Sequence, residues 1–73
     1  EYAIFVSGLG PDVNEYLLAS LFQVRYSSCK SAQIMSRGCG FVRFMDKSDH
    51  QRALIEMQGV YCGKSSLKIS DFT

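Results

Sequence analysis

The sequence predicts a single α+β domain, with a four-stranded antiparallel sheet and two helices packed on one of its faces. Four short β-prone segments are bounded by turn residues, and two other segments carry apolar residues at helical spacing. Their order along the chain is β-α-β-β-α-β, which is the split βαβ or ferredoxin-like motif. In that architecture the second face of the sheet is left open.

The first strand and the first helix follow directly from local pattern. Tyr2 to Ser7 reads YAIFVS, a β-prone run that ends at the turn residues of Gly8 to Asp12. Asn14 is predicted to cap the helix, because its side-chain oxygen can accept an otherwise unpaired backbone N–H. The apolar residues that follow share one helical face. They are Val13, Leu17, Leu18, Leu21 and Phe22.

The second and third strands are predicted to form a tight antiparallel hairpin. Cys29 to Met35 alternates weakly between apolar and polar residues, and Gly38 to Met45 is the third strand. Only Ser36 and Arg37 separate them. Gly38 and Gly40 fall at inward positions, where we expect a crossing helix to require small residues.

The second helix is predicted to start at the capping-box pattern of Ser48 to Gln51 and to stop at Gly59. Ala53, Leu54 and Met57 would form its buried face, and His50 is expected to be solvated. After a turn at residues 63–66, the fourth strand covers residues 67–70.

Composition restricts the functional classes. The 73 residues suffice for one small domain, and an apolar content of 47% permits a packed core. No apolar run approaches the roughly 20 residues of a membrane span, and no signal peptide is visible. We therefore expect a monomeric domain, residues 1–73, cut from a longer protein. The net charge of +1 does not by itself indicate a polyanionic partner.

Three cysteines occur, at positions 29, 39 and 62, and none forms a Cys-x-x-Cys pair. An odd count without that spacing disfavours a disulfide framework and a zinc site, and it favours a reducing compartment. The sequence also lacks a nucleophile–base pair or a cluster of carboxylates. We predict no cofactor, no metal and no enzymatic activity.

Strand alternation predicts an aromatic and basic open face. Because neighbouring side chains point to opposite faces, Phe5 and Phe41 lie outward when Ile4 and Val42 lie in the core. The same rule places a set of smaller and basic side chains outward, namely Arg37, Cys39, Arg43, Lys68 and Ser70. Aromatic rings that stack on bases, with cations that attract phosphates, are how proteins grip single-stranded nucleic acid.

Two segments resemble the signature motifs of the RNA recognition motif family. RGCGFVRF, Arg37 to Phe44, resembles the RNP1 octapeptide at every fixed position but the third, and IFVSGL, Ile4 to Leu9, resembles RNP2. The resemblance implies single-stranded RNA as the partner, with base stacking on Phe5 and Phe41. The basic residues Arg37, Arg43 and Lys68 are expected to contact phosphates. Cys39 would offer a small apolar contact, and Ser70 belongs to the same expected RNA-binding set.

A finer resemblance concerns VNEYLLASLF, SCKSAQIM and EMQGVYCGK. These segments are similar to a middle motif of yeast multi-motif splicing factors and of TIA-like and selenocysteine-tRNA-associated proteins. That similarity implies a preference for uridine-rich RNA and a nuclear role in pre-mRNA processing, and it leaves an additional cytoplasmic presence open. Further partners would be neighbouring domains of the parent chain or other splicing proteins.

Two departures from the family pattern leave an alternative open. Cys39 replaces an aromatic ring, and the connection between the second and third strands is shorter than in relatives. Both changes predict weak RNA binding, helped by neighbouring domains, or a protein-interaction module that has lost RNA binding. For Phe72, two alternatives also remain: a further ring over the sheet, or a frayed end.

Overall fold

The computed structural model describes residues 2–36 and 38–72. Its elements follow the predicted order with one added hairpin. They are β1 (Tyr2–Ser7), α1 (Glu15–Gln23), β2 (Cys29–Ser36), β3 (Cys39–Phe44), α2 (Lys47–Glu56), β4 (Tyr61–Cys62), β5 (Ser65–Ser66) and β6 (Lys68–Asp71). Arg37, one of the predicted contact residues, lies outside the described residues.

The main sheet is antiparallel throughout, with strand order β2-β3-β1-β6. Both helices pack on the same side of it, α1 against β2 and α2 against β1, β3 and β6. One hydrophobic core lies between these two layers, and Ile4, Val6, Val42 and Phe44 reach it from the central strands with no exposed surface. The predicted architecture is confirmed. Neither helix within the described ranges is long and apolar enough to cross a membrane.

Helix α1 starts where the sequence predicts. The Oδ1 atom of Asn14 accepts the backbone N–H of Leu17 at 2.8 Å, which pairs one of the donors that a helix leaves unsatisfied at its start. Leu18 and Phe22, four residues apart, are completely buried. Leu17, predicted for the same face, is 42% exposed because it lies at the border of the apolar stripe.

Helix α2 begins earlier than predicted, and its buried face is wider. Asp46 caps it, with Oδ1 accepting the backbone N–H of Ser48 at 3.0 Å, so the capping-box prediction was wrong. A carboxylate also interacts favourably with the helix dipole at this end. His50 is only 2% exposed, contrary to expectation. It precedes Ala53 by three residues and Met57 by seven, and both are buried, so His50 shares their face.

The β2–β3 hairpin requires its glycines for a different reason from the predicted one. Ser36 lies opposite Cys39, and the pairing shifts register between Ile34 and Ser36. A Cβ atom on Gly40 would lie 2.5 Å from the carbonyl oxygen of Gln33. The closest neighbours of such a Cβ atom are therefore backbone atoms of the adjacent strand β2. Gly38 adopts a φ of +71°, which a side chain would strain.

Residues 58–60 form hydrogen bonds with Leu67 and Ile69 along the outer edge of β6. Gly59 N–H donates to the carbonyl oxygen of Leu67, and Leu67 N–H donates to that of Val60, both at 2.9 Å. The Gln58 side chain accepts from Ile69 N–H at 3.1 Å and donates to the Ile69 carbonyl. The small β4–β5 hairpin, which the sequence pattern did not predict, lies within this connection.

Candidate nucleic-acid interface

The open face of the sheet carries three rows of side chains that run across the strands; two rows cross all four strands, and the third crosses β2, β3 and β1. The pairing register defines the members of each row. The central row is Gln33, Phe41, Phe5 and Ser70; on one side lie Ser31, Arg43 and Ala3, and on the other Ser36, Cys39, Ser7 and Lys68. The predicted site residues within the described ranges therefore share this face, as strand alternation requires.

A third phenylalanine joins Phe5 and Phe41 on this face. Phe72 follows β6 directly, and its backbone N–H donates to the Ala3 carbonyl oxygen at 3.2 Å. Its ring centroid lies 5.3 Å from that of Phe41 with an interplanar angle of 10°, and 6.3 Å from that of Phe5 with an angle of 14°. Because β1 separates β6 from β3, the Phe72 ring crosses β1 on the side of the small Ala3 residue.

This arrangement covers one of the two predicted stacking rings. Phe41 is 9% exposed, whereas Phe72 is 51% exposed and Phe5 is half-buried. The guanidinium carbon of Arg43 lies over the Phe41 ring, 4.8 Å from its centroid, at cation–π distance. Phe41 is thus on the predicted face, but Phe72 and Arg43 cover it. Of the two alternatives for Phe72, the structure has the ring over the sheet.

The charges on the open face are positive among the residues that the structure describes. Arg43 and Lys68 belong to it, and the three rows contain no Asp or Glu. Asp71, at the end of β6, instead lies 3.4 Å from Nε2 of His50 on the helical side. The small excess of basic residues in the chain is therefore concentrated where a polyanion would approach.

The cysteines differ in their surroundings. Cys39 is half-buried on the open face, between Ser7 and Ser36 of the neighbouring strands. Cys29 and Cys62 are buried in the core, and burial raises the pKa of Cys29 to about 11 and that of Cys62 above its ordinary value. All three are free thiols. Within residues 2–36 and 38–72, no group of side chains could hold a metal ion.

Two polar side-chain pairs lie on the helical side of the sheet, behind this face. The Asp49 carboxylate accepts from Ser28 Oγ at 2.7 Å and from Ser28 N–H at 3.2 Å, and these bonds lower the pKa of Asp49. Tyr26 donates to Glu56 at 2.7 Å, and burial raises the pKa of Tyr26 to about 12. These hydrogen bonds join the loop between α1 and β2 to helix α2, and none of the groups belongs to the open face.

Sequence reasoning did not assign Ser31 and Gln33 to the site, although both share the face with Phe41. The alternation of side chains along β2 could have identified them. Ala32 and Ile34 pack toward the core, so Ser31 and Gln33 point to the open face. Together, the face offers flat aromatic surface, two cations and several small polar groups. That set can stack on planar ligands and bind anions.

Comparison with known proteins identifies similar chains. The family described as RNA recognition motif matches residues 4–68. An uncharacterised RNA-binding protein of Schizosaccharomyces pombe is 53% identical over 94% of the chain, and polyadenylate-binding protein RBP47B' of Arabidopsis thaliana is 41% identical over all of it. The chain spans only 16% and 19% of these two relatives.

Solved structures are similar along the whole chain. The second RRM domain of the yeast poly(U)-binding protein Pub1 superposes with a TM-score of 0.89 at 29% identity, covering 100% of this chain and 95% of that one. A Sex-lethal protein in complex with RNA gives a TM-score of 0.85 at 27% identity, covering 97% of this chain and 46% of that one.

Proposed function

Because the chain belongs to the RNA recognition motif family, we propose that its open sheet face binds single-stranded RNA. The observation that carries the proposal is the pairing of Phe5 directly opposite Phe41 on a face that also presents Arg43 and Lys68. Members of the family are non-catalytic binding domains, and the chain is not an enzyme.

In the proposed mode of binding, Phe5 and Phe41 each stack on one base. Base–aromatic stacking contributes about 1–3 kcal/mol per base and accepts any base, since every base has a π-face. Arg43 and Lys68, together with Arg37, contact phosphates. Cys39 and Ser70 lie beside the two rings in the strand register and provide small contacts to sugar or base.

The relatives support an RNA that is rich in one base. One neighbour is named for poly(U) binding and several relatives for polyadenylate binding. We propose a uridine-rich or adenine-rich tract, bound during pre-mRNA processing in the nucleus, with an additional cytoplasmic presence left open. A domain with two stacking rings gains affinity when other domains of a longer chain bind the same RNA, because they raise the effective concentration.

One observation favours a protein-interaction module as the second candidate. Phe41, the principal stacking ring of the proposal, has 9% of its surface exposed. A domain of this fold that no longer bound RNA would have no need of an accessible ring there. The half-buried Phe5 and the positive face nevertheless match the RNA proposal better.

The test is an amide NMR titration of the chain with oligouridine and oligoadenosine. We expect saturable shifts around Phe5, Phe41, Arg43 and Lys68. Replacing either Phe5 or Phe41 with alanine should weaken binding by about 5- to 150-fold, the equivalent of about 1–3 kcal/mol. Tyr16→Ala is the matched control, because Tyr16 is 78% exposed on α1 and belongs to the opposite layer.

Unchanged affinity in the Phe5→Ala, Phe41→Ala double variant would rule the mechanism out. If no open-face shifts occurred at millimolar RNA, the protein-interaction function would become the better account.

A further inference from the structure

In the free chain, Phe72 occupies the position that a base would need on Phe41. A stacked base lies parallel to an aromatic ring and within van der Waals contact. The Phe72 ring meets that description, with an interplanar angle of 10° and a centroid distance of 5.3 Å. Arg43 lies over the Phe41 ring as well. The small exposed fraction of Phe41, 9%, leaves no space for a base beside these two groups.

We propose that Phe72 is an affinity-determining residue of the RNA site, which competes with the RNA base for the ring of Phe41. The inference rests on the proposed function and adds a step to it. Binding of a base at Phe41 requires the Phe72 ring to leave, so the binding-competent population is the fraction of molecules in which it has left.

Phe72 can leave without disturbing the fold. It lies one residue beyond β6, it is 51% exposed, and its backbone N–H donates to the Ala3 carbonyl oxygen at 3.2 Å. The preceding residues stay anchored, because Asp71 is paired with His50 and Ile69 is bonded to Gln58. A rotation at residue 72 would remove the Phe72 ring from Phe41 and leave the core intact, with the Arg43 side chain still beside the Phe41 ring.

The competing interpretation is that Phe72 is itself a stacking platform. A base on the outer face of Phe72 would leave Phe41 covered. The two mechanisms make opposite predictions for removal of the ring. If Phe72 is a stacking platform, its truncation lowers the RNA affinity of the chain. If Phe72 is a competitor, its truncation raises that affinity.

A competitor also has a diagnostic effect on base preference. Displacement of Phe72 costs the same free energy whichever base replaces it. Removal of the ring should therefore raise the affinity for every base by one common factor. The ratio between oligoadenosine and oligouridine affinity stays unchanged, whereas a lost platform would change it, since purines and pyrimidines stack differently.

The experiment measures oligouridine and oligoadenosine binding to the chain and to Phe72→Ala. We expect Phe72→Ala to bind both about three- to tenfold more tightly, the factor expected for release of one aromatic pair. Tyr16→Ala should bind like the unmodified chain. In the unmodified chain, the NOE between the Phe41 and Phe72 rings should disappear on saturation with RNA. Equal or weaker binding by Phe72→Ala, or an NOE that persists in the complex, overturns the proposal.

A further variant separates this inference from the proposed function. The double variant Phe41→Ala, Phe72→Ala should not show the tighter RNA binding of Phe72→Ala. It should bind RNA more weakly than the unmodified chain. If Phe72→Ala has no effect while Phe41→Ala still weakens binding, the competitor role fails and RNA binding by the open face stands. If all variants bind RNA equally, both the competitor role of Phe72 and the stacking mechanism fail.

Discussion

The Nε2 atom of His50 lies 3.0 Å from the carbonyl oxygen of Ala3, which also accepts the backbone N–H of Phe72. One acceptor therefore joins helix α2, strand β1 and the chain after β6. The Oδ1 atom of Asp71 lies 3.4 Å from the same Nε2 atom. His50 thus anchors the end of β6 from the helical side of the sheet. The rings of Phe5, Phe41 and Phe72 lie on the opposite face.

Replacing His50 with alanine should destabilise the fold substantially. The side chain is almost completely buried beside the rings of Tyr2 and Phe44, so its removal leaves a cavity as well as a lost hydrogen bond. We expect a loss of about 2–4 kcal/mol in the free energy of unfolding, measured with urea. Gln51→Ala, the next residue on the exposed side of α2, should change it by less than about 0.5 kcal/mol. A His50→Ala variant as stable as that control would contradict this anchoring role.

Asp49 should make the stability of the fold dependent on pH in acid. Its hydrogen bonds from Ser28 lower the pKa of the folded-state carboxyl below the ordinary value of 3.8. The stabilisation is therefore complete above that value and is lost as the pH falls through the lower folded pKa. Ser28→Ala should reduce the slope of unfolding free energy against pH between about pH 5 and pH 2. Ser20→Ala on α1 is the control, and equal slopes in the two variants would refute the assignment.

Gln58→Ala should weaken the β6 edge. The side-chain amide pairs with both backbone groups of Ile69, in the way that a further strand would. Its removal leaves a part-buried N–H and C=O without these partners, and we expect a loss of about 1–2 kcal/mol. Because an unpaired strand edge recruits other strands, the variant should also aggregate faster at high concentration. Urea unfolding and light scattering test both effects, with Gln51→Ala as the matched substitution.

The three thiols should differ sharply in reactivity. Cys29 and Cys62 are buried and their thiolates are disfavoured by the raised pKa values, whereas Cys39 lies half-buried on the open face. A disulfide reagent near pH 8 should therefore modify one cysteine quickly in the folded chain, and Cys39→Ser should abolish this fast phase. Saturating RNA should protect Cys39. Three equal rates in the folded chain would contradict the burial of the other two.

The sequence determined which side chains share a face. Alternation along a strand is a local property, so the outward positions of Phe5, Phe41 and Arg43 follow from the pattern alone. Asn14 as the cap of α1 follows equally from local hydrogen bonding. The same local rules contained two signals that the interpretation missed: the helical spacing that buries His50, and the alternation that places Gln33 beside Phe41.

The tertiary structure alone decided how accessible that face is. Phe41 is covered because Phe72, 31 positions later in the chain, reaches across β1. A local sequence pattern does not predict a contact between residues so far apart in the chain. The same holds for Gly40, whose constraint is the approach of the Gln33 backbone in the neighbouring strand. Pattern fixes the direction of a side chain, because direction depends on adjacent residues. Exposure depends on which distant segments pack against it, and that is set only when the strands assemble.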